Sequence, residues 1–258
     1  MLPDLFGGLD QLARLLLAAL FVVISAVMSR WQRADLEADL LIATARSFVQ
    51  LIAIGYVLEL VFNQDNILFT STILVIMVTI AGRTSGNRAK GIRHASWIGI
   101  IAIGISTILT VGLLLVLGVF DFVPDDIIPI GGMVVGNSMS VATLVMTRLR
   151  DDITDQRLMI ESKLALGATS REASLQQFRR ALRSAMIPII DSTKTVGLIK
   201  LPGAMTGMIL AGASPLTAVR LQIIVMYMLI GATMFTALSA AYLSYRGFFN
   251  QQHQFVTS

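Results

Sequence analysis

Residues 97–120 read WIGIIAIGISTILTVGLLLVLGVF, without one Asp, Glu, Lys or Arg between Trp97 and Phe120. A bilayer core about 30 Å thick takes about 20 apolar residues of α-helix, so this run is long enough to cross it. The chain around it has the same character. Of 258 residues, 55% are hydrophobic and 14% charged, with a mean hydropathy of +0.76, whereas soluble domains carry about 25% charged residues. The sequence is that of an all-α, polytopic membrane protein. It has no cysteine, which excludes a disulfide scaffold, a thiolate metal site and a CxxC redox centre. His94 and His253 are its only histidines.

Outward from this run, three apolar stretches precede it (Leu12–Met28, Leu40–Phe62, Ile67–Ala81) and two full-length ones follow (Ile127–Met146, Leu216–Tyr242). A short, glycine-rich stretch within 187–213 makes a seventh expected span. The first run follows two acids and no basic segment, and lacks an A-x-A-like end, so it reads as a retained helix and not a cleaved signal. Arg30, Arg33, Arg83, Arg88, Lys90 and Arg93 fall in two alternate loops, while Asp65, Asp121, Asp125 and Asp126 occupy the others with no Lys or Arg. Eight Lys or Arg residues lie in 148–183. The positive-inside rule then sets the N-terminus outside and the C-terminus inside. The same bias accounts for a pI near 9.8 without nucleic acid as a partner.

The stretch 148–183 is long for a connecting loop and rich in helix formers, a cytoplasmic segment within a single permease domain spanning 1–258. Leu158, Ile160, Leu164 and Ala165 recur at helical spacing opposite Arg157, Glu161 and Lys163. Gly167-Ala168-Thr169-Ser170 then breaks the pattern, with Ser170 the expected cap of a second helix over 171–183. Such a helix pair fits a groove on a soluble partner. No G-x-x-x-x-G-K-[ST] phosphate loop occurs, so ATP hydrolysis, if used, belongs to another chain.

Glu161-Ser-Lys-Leu-Ala-Leu-Gly167 resembles the E-A-A-x-x-x-G coupling loop of ABC permeases, although the I-x-L-P that continues the importer version is missing. Together with Ile130-Gly-Gly-Met-Val-Val-Gly-Asn-Ser-Met139, Asp191-Ser-Thr-Lys-Thr-Val-Gly-Leu198, Leu201-Pro-Gly-Ala-Met-Thr-Gly-Met-Ile-Leu210 and Gly212-Ala-Ser-Pro215, it is similar to the FetB-type ABC permease family over about Leu40 to Tyr242. The resemblance implies a dimeric permease in a bacterial inner membrane, without catalytic residues or a cofactor of its own. Two copies of a separate ATPase would bind ATP-Mg, and Glu161, Leu164, Gly167 and Ala168 would couple to it. The family is linked to iron export in bacteria and aluminium tolerance in plants, and its plant branch to a nucleotide sugar.

Charged and polar groups inside spans are costly and mark candidate pathways. Arg46 and Gln50, one turn apart, either line a path, where Asp191 is a possible partner, or in the case of Arg46 snorkel to the interface. Glu59 lies near the outer end of its span. Gly131, Gly132, Gly136, Asn137 and Ser138 suggest a polar break in the fifth span, and Gly132 and Gly136 equally suggest close helix packing. Gly203 and Gly207 form a second packing stripe. Asp191 and Lys194 are spaced to pair, on a path or on an interfacial helix. Met133, Met139, Met146, Met205, Met208, Met226 and Met228 are soft donors suited to Cu(I), or core filler. An ion-coupled transporter or channel is the alternative reading. It leaves the long cytoplasmic helices without a task.

Overall fold

The computed structural model describes residues 9–33, 35–62, 66–250, 252, 254 and 255, and for 9–16 and 60–62 the backbone alone. The chain divides into two compact units, Met1–Gln64 and Asp65–Ser258.

The first unit holds α1 (Leu9–Trp31) and α2 (Glu37–Phe62). The Ser29 hydroxyl closes the turn between them, accepting from the Leu36 N–H at 3.0 Å and donating to Glu37 Oε2 at 3.3 Å. Glu37 and Asp39 sit in the first turn of α2, where the helix dipole favours acids. Most of the described side chains of this unit are exposed and apolar, Phe21, Ile42 and Leu51 among them, as lipid-facing residues are.

The second unit contains α3 (Ile67–Arg88), α4 (Ala95–Val116), α5 (Pro124–Asp155), α6 (Arg157–Ala165), α7 (Ser170–Thr195), α8 (Gly203–Leu210) and α9 (Pro215–Arg246). Helix α4 packs against α3, α5 and α9, and α7 lies on α5 and α9. The core is built of small residues, with Ala102, Ala142, Ala181, Ala232, Ala237, Ala240 and Ala241 buried among Ile103, Val145, Met146 and Leu149. Without a hydrophobic force between helices in lipid, small side chains gain stability by letting backbones approach. The closest approach is that of α3 and α4. A methyl group at Gly82 would overlap the backbone of Ile100, one at Gly86 that of Ser96, and one at Gly99 would lie 2.6 Å from the Gly82 carbonyl oxygen. Buried hydroxyls bind three helices together: Thr236 of α9 donates to Ser138 of α5 at 2.9 Å, Ser138 lies 3.3 Å from Ser106 of α4, and Ser106 donates to the Ala232 carbonyl at 2.8 Å.

Five described helical stretches are long and apolar enough to cross a membrane: Glu37–Glu59 in α2, then α3, α4, α5 and α9. In α1, the residues with described side chains, Leu17–Trp31, form a further apolar stretch. The expected sixth span is not one helix. Helix α7 runs from Ser170, within the segment 148–183, to Thr195, a turn at Gly197 (φ 81°) follows, and α8 has only 8 residues. Eight residues rise about 12 Å, too little to cross alone. Pro202 and Gly212 (φ 95°) bound it, which explains why the apolar composition there does not become a long rod.

Two further expectations change. The polar break in the fifth span does not occur, because α5 is continuous over 32 residues. Its polar side chains bond to helix carbonyls or neighbouring helices and do not interrupt the helix. The segment 148–183 is not a loop with two helices of its own. Residues 148–155 finish α5, and α7 starts there but extends well past Arg183. The cap of α7 is Thr169 and not Ser170: its hydroxyl accepts from Glu172 N–H, and the Glu172 carboxylate accepts from the Thr169 N–H at 2.9 Å. Asn63, Asp65 and His253 lie outside the described residues.

Candidate permease pathway and coupling face

Helices α5, α7 and α9 with the turn after α7 border a half-open cavity of about 260 Å³. Asn137 and Ser140 reach it from α5, Pro188 and Ser192 from α7, Thr233 from α9 and Lys200 from the turn. Asn137 donates its amide N–H to the Met133 carbonyl at 2.8 Å, which fixes the side chain and leaves the amide oxygen as an acceptor. Pro188 has no N–H to give to the carbonyl one turn back, so that carbonyl on α7 loses its helical partner. Lys200 is the one charged group in the lining among the described residues, held by a turn in which Gly197 N–H donates to the Lys200 carbonyl at 3.0 Å. The described lining offers amide, hydroxyl and ammonium groups and no carboxylate.

Sequence reasoning brought Asn137 to this chamber and missed Pro188, Lys200 and Thr233. A proline inside an otherwise helical apolar stretch was the available signal for Pro188. Ser138 points away from the chamber, fully buried in the hydroxyl cluster described above. Asp191 and Lys194 are both exposed on α7 and form no ion pair with each other. Arg46, Gln50 and Glu59 are exposed on α2 in the first unit. Gly132 lies against the end of Met77, where an added methyl group would stand 3.3 Å from the Met77 Cε, whereas one at Gly136, Gly203 or Gly207 would have no neighbour within 4 Å. The close helix contact instead uses the G-x-x-x-G of Gly82 and Gly86, which the sequence displays at the end of the third apolar run.

Met146 and Met228 are core residues and Met133 and Met139 pack against the core. Met205 and Met226 line a second cavity of about 320 Å³ between α7, α8 and α9, beside the buried Gln222, whose Oε1 has no hydrogen-bond partner among the described residues. Among the described residues, no three His, Asp or Glu side chains converge as a metal site.

At the other end of α7, Ile160 anchors α6 in the core and Leu164 and Ala168 pack beside it. Gly167 turns the chain with φ 92°, a conformation that glycine adopts without strain. Leu158 and Leu166 are 80% and 88% exposed. Glu161 is held by Arg157, Nε to Oε1 2.7 Å. The fully buried Gln177 donates to Gln156 at 2.7 Å and ties α7 to the α5–α6 junction.

The model of the uncharacterised protein family UPF0014 matches residues 12–249. The chain belongs to the UPF0014 family. Protein ALUMINUM SENSITIVE 3 of Arabidopsis thaliana is 46% identical over 241 residues, 93% of this chain and 88% of the relative. The UPF0014 membrane protein STAR2 of Oryza sativa subsp. japonica is 46% identical over 237 residues, 92% and 83% of the two chains. The probable iron export permease protein FetB of Escherichia coli is 37% identical over 244 residues, 95% and 94%. No solved structure matches this UPF0014 chain. With these relatives and its long apolar helices, this UPF0014 member is a multi-pass membrane protein of a family in which one relative is named a permease.

Proposed function

We propose that this chain is the permease subunit of an ABC transporter in a bacterial inner membrane. Two copies work with two copies of a separate ATPase, which binds ATP-Mg, to export a metal ion such as iron. The observation that carries the reading is α7. Its first residues follow the exposed Leu158–Leu166 surface and the Gly167 turn, and its last turns line the chamber at Pro188 and Ser192. A pull at the Ser170 end of α7 would reach the proposed solute path through one helix. The name of the FetB relative supports the substrate and the direction.

The chamber lining favours a second reading of the cargo. A bare divalent cation finds Lys200 and no carboxylate there, so a non-metal solute such as a nucleotide sugar, or a metal carried in an anionic chelate, suits its charge better. The test is co-purification with the neighbouring ATPase, followed by ATP turnover in vesicles with ferrous iron, iron chelates and anionic solutes supplied in turn. Stimulation by iron alone supports the first cargo, stimulation by anions alone the second. Failure of any ATPase to co-purify removes the ABC reading.

A further inference from the structure

Lys163 of α6 and Arg179, Arg180 and Arg183 of α7 border one groove of about 380 Å³ that also takes in Glu172 and Gln176. Gln176, Arg179, Arg180 and Arg183 fall at i, i+3, i+4 and i+7, so they share one face of α7, opposite the buried Ser174 and Ala185. Among the described residues, no acid forms an ion pair with any of the four cations. The one carboxylate in the described lining is already engaged, since Glu172 accepts from both the N–H and the hydroxyl of Thr169. Arg179 and Arg183, one turn apart, repel each other. Four cations against one occupied carboxylate leave the groove strongly positive.

The sequence that follows the groove points to the anion. Directly beyond Arg183, α7 becomes apolar through Ala185, Met186, Ile187, Ile189 and Ile190. The guanidinium groups therefore stand within about two turns of an apolar stretch, the placement expected of basic residues at a headgroup boundary. Basic pockets between helices at this level recognise phospholipid headgroups, and the arginine fork matches a phosphate oxygen pair.

We propose that the groove between α6 and α7 binds the phosphate headgroup of an anionic phospholipid from the leaflet that α7 enters. A phosphate seated there joins Lys163 to the arginines across the Gly167 turn, so the bound lipid stiffens the hinge of the α6–α7 pair. The inference stands on the membrane character of the chain and is independent of the ATPase partnership.

The test uses the full chain in nanodiscs of phosphatidylcholine with or without phosphatidylglycerol, with retained lipid counted by native mass spectrometry and thermal stability measured in parallel. Phosphatidylglycerol, and not phosphatidylcholine alone, should be retained and should raise the melting temperature of the unaltered chain. Arg179→Gln with Arg183→Gln should weaken retention about 30-fold, about fivefold per cation. Lys163→Gln with Arg180→Gln should do the same, which guards against a folding defect in either pair. Lys90→Gln with Arg93→Gln, an equal loss of charge on exposed residues elsewhere, should leave retention unchanged. Retention unaffected by both groove pairs, or equally weakened by the Lys90 and Arg93 pair, would overturn the site. So would displacement of the lipid by millimolar inorganic phosphate, which would make the ligand a soluble anion. Loss of a co-purifying protein with lipid retention intact would likewise overturn it.

Discussion

Asn137 and Ser138 are neighbours in the chain with different tasks. About 100° of helix rotation separates them, which puts the amide in the chamber of α5, α7 and α9 and the hydroxyl among α4, α5 and α9. Asn137→Leu should lower transport about three- to tenfold, the worth of one neutral hydrogen bond, with expression and basal ATP turnover unchanged. Normal transport by that variant would remove Asn137 from the path. Lys200→Met separates the cargo readings: transport of an anion should fall at least about tenfold, as a charge-assisted bond is lost, whereas transport of a bare cation should rise. Gly82→Ala should cost about 1–3 kcal/mol by overpacking against Ile100, read as a lower melting temperature in detergent, while Gly136→Ala should not destabilise. Asn137 was legible as a polar residue in an apolar run. Which way it and Ser138 point was not, because α5 is buried on several sides and has no single apolar stripe to set its rotation. Lys200 was illegible for another reason: a turn brings it back to a chamber whose walls are distant in sequence.

Among the elements, α7 departs most from its sequence signal. The charged residues up to Arg183 and the apolar ones after it read as two segments, yet nothing between them breaks a helix until Val196, and Pro188 is accommodated inside. Its start is set by the capping box of Thr169 and Glu172. Those bonds, the backbone one first, hold the Glu172 carboxyl below the usual glutamate range. A carboxyl with a lowered folded-state pKa stabilises at pH above its unfolded value and loses that contribution as pH falls through the folded value. The protection of amides in the first turn of α7 against exchange, taken relative to their intrinsic rate at each pH, should therefore fall on acidification, and Glu172→Gln should abolish that fall. Protection independent of pH in the unaltered chain would contradict it. Gly167→Leu places a side chain at φ 92° and should strain the turn, and with Glu161→Lys, which breaks the Arg157 pair, it should uncouple transport from ATP turnover while the protein stays in the membrane. Survival of both transport and complex formation would refute the coupling role.

For the whole molecule, the long apolar helices were legible from hydropathy alone, since few residues within them interrupt the run, and α3, α4, α5 and α9 all appear near their expected places. The count near 187–213 was not, because composition sets whether a segment tolerates lipid but glycine and proline set whether it is long enough to cross it. Sidedness follows from charge: a cysteine at Asn87 should resist a membrane-impermeant thiol reagent applied from outside and one at Asn63 should react, and reversed labelling would invert the topology. One mechanical property follows from where Pro188 sits. It divides the 26 residues of α7 into arms of about 27 Å toward Ser170 and about 10 Å toward Thr195. If the proline acts as the fulcrum, a swing of about 5° displaces the long arm's tip by about 2.4 Å and the short arm's by about 0.9 Å. Leverage of this kind trades travel for force, so a modest stroke delivered at the Ser170 end would be geared down into a shorter, firmer movement at the Thr195 end.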